Sequence, residues 1–331
     1  MRHANIAVFI PDLGCPHRCV FCNQKTISGA KHAATAREID AAVQTAVRSG
    51  IDPQTAELAF FGGSFTCIDR VRMCAYLSQA QRYLNAGVIG GIRVSTRPDG
   101  IDPERLSLLR QYGVTAIELG CQSMDDDVLR LAQRGHTAAD TVLACRLVKD
   151  FGFALGVQMM TGLPGSSDVT DRRTAEQLIA LAPDTARIYP TLVFAGTRLD
   201  DLYRAGTYRP QSLDEAVALC SELLLLFAQH GVRVIRLGLH ADDGARACLA
   251  GPFHPAFREL CESRIYLDRA LQCLAGKAPG SYDLTVGARY LSQAVGHHKQ
   301  NVRALGDRGF AVRFHPAADL NQYEVRAGMT L

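Results

Sequence analysis

Three of the eleven cysteines of this chain, Cys15, Cys19 and Cys22, stand within a segment of eight residues. Thiolates this close in sequence can converge on a small centre, and a metal centre is the usual one. A closed zinc site needs four ligands, but the next cysteine along the chain is the distant Cys67. The spacing leaves three interpretations open: an iron–sulfur cluster with one open iron, a zinc site completed by His17 or a distant cysteine, or chance clustering.

Polar residues and glycines also stand at the ends of several apolar runs that we interpret as strands. They are Gly62, Gly63 and Ser64 after the second run, Ser95 and Arg97 after the third, Gln122 and Ser123 after the fourth, and Tyr189 at the end of the sixth. Glycines let the backbone approach a ligand closely, and a planar guanidinium pairs well with a carboxylate. Because the carboxyl ends of parallel strands meet at one edge of a sheet, we expect these residues to surround one site. Tyr189 is the candidate for substrate contact or proton transfer, with core packing as the alternative.

The elements that must position these residues alternate regularly. Apolar runs predict six strands, at residues 6–13, 57–61, 92–95, 114–119, 153–160 and 187–193. Amphipathic stretches predict helices at residues 37–48, 70–84, 103–112, 138–150 and 171–181. Six alternations predict an α/β fold with a parallel sheet and right-handed crossovers. A closed barrel needs eight, so we expect an incomplete (β/α)6 TIM-like barrel, with a doubly wound open sheet as the alternative.

The alternation fades after about residue 200. The pattern predicts helices at residues 212–230 and 254–274, a strand at 232–239, and mixed signals in the tail, with a helical stretch over 287–305. We expect a core barrel in residues 1–210, an extension packed on it in residues 211–275, and a small C-terminal α/β extension on the substrate side in residues 276–331.

The composition is that of a globular enzyme. An apolar fraction of 47% and a charged fraction of 21% exclude whole-chain disorder and a coiled coil. No apolar run reaches the roughly 20 residues that span a bilayer, so no membrane partner is expected. Pro11 and Asp12 interrupt what would be the apolar core of a secretory signal, so we predict a cytoplasmic protein whose other cysteines are reduced and mostly buried. Cys121, beside Gln122, is left open.

The net charge of +3 comes from 36 Lys+Arg against 33 Asp+Glu. Residues 285–331 hold six Lys/Arg and three Asp/Glu, so the excess of positive charge falls in the tail. A basic tail could meet an anionic substrate, whereas a solvated helix face is the simpler interpretation.

The cysteine spacing C-x3-C-x2-C, directly after the first strand and with Phe21 before the last cysteine, resembles the radical S-adenosylmethionine (SAM) superfamily. The resemblance implies that Cys15, Cys19 and Cys22 hold one [4Fe–4S] cluster whose open iron binds SAM. It further implies a cofactor site whose residues are Phe21 by the cluster, Gly62, Gly63 and Ser64 at the methionyl amino group, and Ser95, Arg97, Gln122 and Ser123 at the ribose and carboxylate.

Within the superfamily, several stretches resemble the radical domain of the Elongator catalytic subunit. They are residues 61–66 (Phe-Gly-Gly-Ser-Phe-Thr), 95–99 (Ser-Thr-Arg-Pro-Asp), 118–123 (Glu-Leu-Gly-Cys-Gln-Ser), 134–137 (Arg-Gly-His-Thr), 158–160, 188–191 and 257–260. We expect the chain to lack that enzyme's acetyltransferase domain, so uridine acetylation is not implied. The stretch beginning at Arg134 is also open to a simpler interpretation as a helix C-cap.

The resemblance implies reductive cleavage of SAM and hydrogen abstraction from an unknown substrate, tRNA or another anionic molecule. A flavodoxin or ferredoxin would donate the electron. The alternatives are a small-molecule substrate, as in oxygen-independent coproporphyrinogen dehydrogenase, and a non-catalytic metal-cluster protein that binds RNA.

Overall fold

Seven parallel strands form the central sheet of the computed structural model, which describes residues 4–11, 13–30, 32–239 and 247–329. In sheet order they are β1 (Ala4–Phe9), β2 (Ala56–Phe61), β3 (Gly91–Thr96), β4 (Val114–Gln122), β5 (Ala154–Thr161), β6 (Thr185–Pro190) and β8 (Arg233–Leu237). All six neighbouring pairs are parallel. The predicted incomplete α/β barrel is confirmed, and the segment predicted as a strand at residues 232–239 supplies its seventh strand.

Within the described residues, nine α-helices precede β8 in the chain and connect the strands, and three more follow it. They are α1 (Gln24–Ser28), α2 (Ala36–Arg48), α3 (Arg70–Asn85), α4 (Pro103–Gln111), α5 (Asp126–Leu131), α6 (Ala138–Asp150), α7 (Asp168–Ala180), α8 (Arg198–Arg204), α9 (Leu213–Gln229), α10 (Phe257–Leu274), α11 (Leu291–Val295) and α12 (Gln300–Gly306). Capping boxes at Thr35, Thr137, Ser167 and Ser212 explain why four of them begin where they do, since each side chain satisfies a backbone N–H of the first turn. Among the described residues, no helix has both the length and the apolar character needed to cross a bilayer.

The two faces of the sheet differ in chemistry. The face under the helices is apolar and fully buried, as at Leu58, Ile92 and Ile117. The concave inner face is charged. Glu118, only 1% exposed, accepts from Nη1 of Arg93 at 3.3 Å and from Nη2 of Arg187 at 2.8 Å. Buried charges need such partners, so the inner wall is a connected ionic network rather than an apolar core.

A second, three-stranded sheet closes the chain. Its strands are β10 (Gly280–Gly287) in the centre, flanked by β11 (Phe310–Ala317) in parallel and β12 (Val325–Met329) in antiparallel orientation. A separate apolar cluster that includes Leu274, Leu284 and Leu305 joins it to α10 and α12. The remaining pair, β7 (Val193–Phe194) and β9 (Cys248–Ala250), is antiparallel.

The helical stretch predicted over residues 287–305 is wrong as one continuous element. It is divided into α11 and α12 by Gly296 at φ 85° and by two further residues in left-handed conformations, His298 and Lys299. The first predicted strand also ends earlier than expected, at Phe9, because the cysteine loop begins soon after it.

Candidate functional site

One large cavity, of about 1350 Å³, opens along the concave face of the sheet. Most of the residues predicted for the site line it, namely Cys15, Cys19, Phe21, Cys22, Gly62, Gly63, Ser95, Arg97, Gln122 and Tyr189. The cavity therefore brings the cysteine loop, the glycine pair and the ends of β3, β4 and β6 to a common space.

Ser64 and Ser123 were also predicted for the site, but they do not line the cavity. The Ser64 hydroxyl is fully buried, 3.1 Å from Oγ1 of Thr96. The Ser123 hydroxyl lies 3.3 Å from Oγ1 of Thr174 and accepts from the backbone N–H of Asp125 at 3.1 Å. Both hydroxyls therefore hold local structure.

The cysteine loop follows β1 and forms one wall of the cavity. Cys15 is exposed, Cys22 is half-buried and Cys19 is buried. Within the described part of the chain, no three Cys, His, Asp or Glu side chains are arranged to hold a single metal ion. Each cysteine ligand of a [4Fe–4S] cluster binds a different iron, so the three thiols need not meet at one point. This donor set fits a cluster better than a zinc ion completed by His17.

The Arg134-Gly135 segment packs against the cysteine loop and supports it. Nη1 of Arg134 donates to Sγ of Cys19 at 3.1 Å. Gly135 has φ +73°, and a Cβ placed there would lie 2.3 Å from Cδ2 of His17. The backbone N–H of Val20 donates to the carbonyl of Ala132 at 3.2 Å. The interpretation of this segment as only a helix C-cap is therefore too limited.

The glycine pair allows two loops to cross. Gly62 has φ +92°, a conformation that favours glycine. A Cβ on Gly63 would lie 2.5 Å from the backbone carbonyl oxygen of Leu13, in the turn just before Cys15. Only glycine permits this approach, so the pair brings strand-end backbone against the cysteine loop.

Two arginines near the cysteine loop are engaged differently. The guanidinium of Arg97 donates to both oxygens of Asp99, at 2.9 and 3.0 Å, and also to the backbone carbonyl of Arg134. Arg134 donates to the carbonyl of Gly120 at 2.6 Å and to Cys19, with no carboxylate partner among the described residues. Of these two arginines, Arg134 is therefore the one whose charge has no carboxylate counter-ion within the described chain.

His136 and Cys121 pack behind this wall as neutral groups. Nε2 of His136 lies 3.2 Å from the carbonyl oxygen of Cys121. Burial, followed by the charge of Arg134, lowers the pKa of His136 to about 4. Burial also raises the pKa of the fully buried Cys121 thiol well above its ordinary value. Cys121 is outside the cavity, so its proximity to Gln122 gives it no exposed reactive thiol.

Tyr189 lies on the β6 side of the cavity beside Arg187. Nη1 of Arg187 is 3.5 Å from the Tyr189 hydroxyl, and the guanidinium lies over the ring of Phe61 at 4.8 Å. Ser95 accepts from Nε2 of Gln158 at 3.3 Å on the inner face. Ser95, Gln158, Arg187 and Tyr189 all line the cavity, so these contacts fix polar groups in its wall.

Sequence reasoning missed most of the charge of the cavity. Seven arginines line it, Arg18, Arg97, Arg134, Arg187, Arg233, Arg236 and Arg258, and only Arg97 was predicted. No Asp or Glu is found among the lining residues of the described chain. Spacing gave no signal for Arg187, but alternation along β6 would have put it on the same face as Tyr189.

The family models match most of the chain. The model of the Radical SAM superfamily matches residues 10–178, just over half of the chain. The model of the Radical_SAM C-terminal domain matches residues 183–267.

Curated relatives cover different shares of the chain. A tRNA uridine(34) acetyltransferase of Dehalococcoides mccartyi (strain CBDB1) is 27% identical over 305 residues, which is 81% of this chain and 66% of that protein. Elongator complex protein 3 of Mus musculus is 36% identical over 189 residues, which is 55% of this chain and 33% of that protein. The chain thus spans less than two thirds of the length of either relative.

Among solved structures, the archaeal Methanocaldococcus infernus Elp3 with an N-terminal deletion superposes with a TM-score of 0.67 at 22% identity. The match covers 87% of this chain and 67% of that one. At this identity the likeness establishes the fold alone.

Proposed function

The chain belongs to the radical SAM superfamily, and we propose that it holds a [4Fe–4S] cluster on Cys15, Cys19 and Cys22 to cleave S-adenosylmethionine and abstract hydrogen from an anionic substrate. It is an enzyme of the radical SAM type. The observation that carries the proposal is the shared cavity: the three thiols, the glycine pair and a set of arginines line one space of about 1350 Å³. That volume exceeds the range of about 300–1,000 Å³ for ordinary ligand pockets, as a site for cofactor and substrate together requires.

When bound, the cluster would supply the single electron for reductive cleavage of SAM, from which the hydrogen-abstracting radical arises. The residues of the chain bind, orient and exclude water. Gly62 and Gly63 line the cavity, so the methionyl ammonium would reach strand-end carbonyls there. Ser95, Gln122 and Phe21 remain the candidates for contact with the rest of the cofactor.

We assign the methionyl carboxylate to Arg134 rather than to Arg97. Arg97 is bound through two oxygens to Asp99, so its charge is already balanced. Arg134 lies against Cys19 on the cavity wall and has no carboxylate partner among the described residues. A guanidinium in that position can take a carboxylate in a paired geometry.

The substrate end of the cavity is the side of β6 and β8. Tyr189 is the candidate there for substrate contact or proton transfer. The absence of acidic residues from the described lining supports an anionic substrate. Two relatives carry names that refer to tRNA uridine or to Elongator, which supports tRNA as one such substrate. A small anionic molecule is the second candidate, and a flavodoxin or ferredoxin would donate the electron in either case.

The first experiment tests the cluster. Protein reconstituted anaerobically and supplied with dithionite and SAM should release 5′-deoxyadenosine, and Cys22→Ala should lose both iron and product. Cys74→Ala is the matched control, because Cys74 is half-buried on α3, away from the cavity. Stoichiometric zinc with no cleavage in the wild type would contradict the proposal.

The second experiment separates the substrates. The modified nucleosides of tRNA from a deletion strain should differ from those of the parent strain if tRNA is the substrate. An unchanged profile, with no tRNA copurifying with the protein, would favour the small molecule.

A further inference from the structure

Four arginines line the part of the cavity farthest along the sheet from β1. They are Arg187 on β6, Arg233 and Arg236 on β8, and Arg258 on α10. β8 is the edge strand of the open sheet, opposite β1 in sheet order. Its inward side chains therefore flank the open side of the half-barrel.

An irregularity in β8 puts two of these arginines on the same side. Arg233 is in register with Thr185, and Arg236 is in register with Arg187. An advance of three residues along β8 is therefore matched by an advance of only two along β6. In a regular strand, residues three apart face opposite sides of the sheet. The extra residue, a β-bulge, turns Arg236 to the inner face that Arg233 already occupies, as bulges next to active sites commonly do.

Arg187 and Arg258 bind carboxylates that lie outside the cavity. Arg187 is held by Glu118, and Arg258 donates to Oε1 of Glu262 and to the carbonyl of Val234, both at 2.8 Å. Neither carboxylate lines the cavity. Arg233 is exposed and has no ion pair within the described residues. A cleft lined by one sign of charge raises the local concentration of the opposite ion.

We propose that Arg233, Arg236 and Arg258 form an oxyanion subsite that binds a phosphate group of the substrate. This inference rests on the proposed function, because the subsite shares its cavity with the cysteine loop. One guanidinium satisfies a carboxylate through two parallel hydrogen bonds, whereas a phosphate group offers three acceptor oxygens and up to two negative charges. Several arginines at one end of a cavity fit the phosphate better.

The phosphate could belong to a small molecule or to a nucleic-acid backbone, and two probes distinguish these sources. Inorganic phosphate is titrated into the reconstituted full chain by calorimetry, and a fluorescein-labelled single-stranded RNA is titrated by anisotropy. If Arg233→Gln and Arg236→Gln lose affinity only for inorganic phosphate, the substrate is a small phosphorylated molecule. If they lose affinity only for RNA, the bound group is a backbone phosphate. Either result supports the subsite.

Arg233→Gln and Arg236→Gln should each weaken binding about tenfold, as expected when one charge-assisted contact to an exposed anion is lost. Arg236→Lys keeps the charge and should retain part of the affinity, which guards against a folding defect. Arg313→Gln is the matched control, because Arg313 is exposed on β11 and outside the cavity. Its affinity should equal that of the wild type.

The inference is overturned if neither probe binds the wild type, or if Arg313→Gln weakens binding as much as the β8 variants. Release of 5′-deoxyadenosine without added substrate is measured on the same preparations. If release persists while the probes do not bind, the subsite fails and the proposed function stands. If release is absent from the wild type, the proposed function fails whatever the probes do.

Discussion

Replacing Asp171 with asparagine should remove one contribution to the pH dependence of the free energy of unfolding. Asp171, in the first turn of α7, is 1% exposed. Its Oδ2 accepts from the backbone N–H of Gly162 at 2.9 Å and from Oγ of Ser166 at 3.5 Å, so it holds the loop after β5. Burial raises the pKa of this carboxyl to about 7, against an ordinary value of 3.8.

The direction of this pH dependence follows from the number of protons bound in the native and unfolded states. Between pH 3.8 and 7 the native state keeps a proton on Asp171 that the unfolded chain has lost, so the stability of the wild type falls as the pH rises. At about 1.4 kcal/mol per pH unit, the accumulated loss between pH 5 and pH 8 is roughly 2.5 kcal/mol. Asparagine does not titrate, so Asp171→Asn should gain that amount relative to the wild type across this range. His136 gives both proteins the same opposite trend at low pH, and its effect cancels in the comparison.

Urea unfolding at several pH values between 5 and 8 measures the difference in the free energy of unfolding. Asp214→Asn is the control, because Asp214 is exposed in the first turn of α9 and should show no comparable trend. A difference between Asp171→Asn and wild type that is constant with pH, or that falls as pH rises, would refute the reasoning.

Three further predictions concern residues in the walls of the cavity and behind them. Glu118→Gln should lower the free energy of unfolding by about 3–5 kcal/mol, because it removes the carboxylate partner of the largely buried Arg187, while Arg93 keeps Glu57; a change below 1 kcal/mol in urea unfolding would contradict this. Gly135→Ala should lower the iron bound per chain after reconstitution, since a methyl group at φ +73° would displace His17 and the cysteine loop. A full iron content would contradict the role of Gly135 in supporting that loop. Arg134→Gln should weaken SAM binding about tenfold in equilibrium dialysis. An unchanged affinity would mean that another residue binds the methionyl carboxylate.

The alternation of apolar runs and amphipathic stretches was enough to predict the sheet and most helices. It failed over residues 287–305, where Gly296, His298 and Lys299 take left-handed conformations. Glycine signals such a conformation in a sequence, but histidine and lysine do not, because their positive φ is imposed by the packing around them. Short helices such as α5 and α8 were missed because a single turn or two has no measurable periodicity.

Two side chains near the site lie on faces that strand alternation does not predict. Gln122 has φ +65°, so the backbone changes direction at the end of β4 and directs Ser123 toward Thr174 instead of the cavity. The bulge in β8 has the opposite effect, since alternation alone would place Arg236 on the face away from Arg233. Both departures are local changes of backbone geometry that residue types do not reveal.

The charged inner wall explains how an open half-barrel can keep so large a cavity. A closed barrel fills its interior with layers of apolar side chains. Here the inner positions of β3, β4 and β6 carry Arg93, Glu118 and Arg187, which satisfy one another and Gln158 by hydrogen bonds. Arg187 and Gln158 line the cavity, whereas Arg93 and Glu118 are buried behind them. Polar side chains that are satisfied by such a buried layer can face an open space, whereas apolar ones would favour collapse. A change that unpairs one of these charges should therefore affect folding before it affects chemistry.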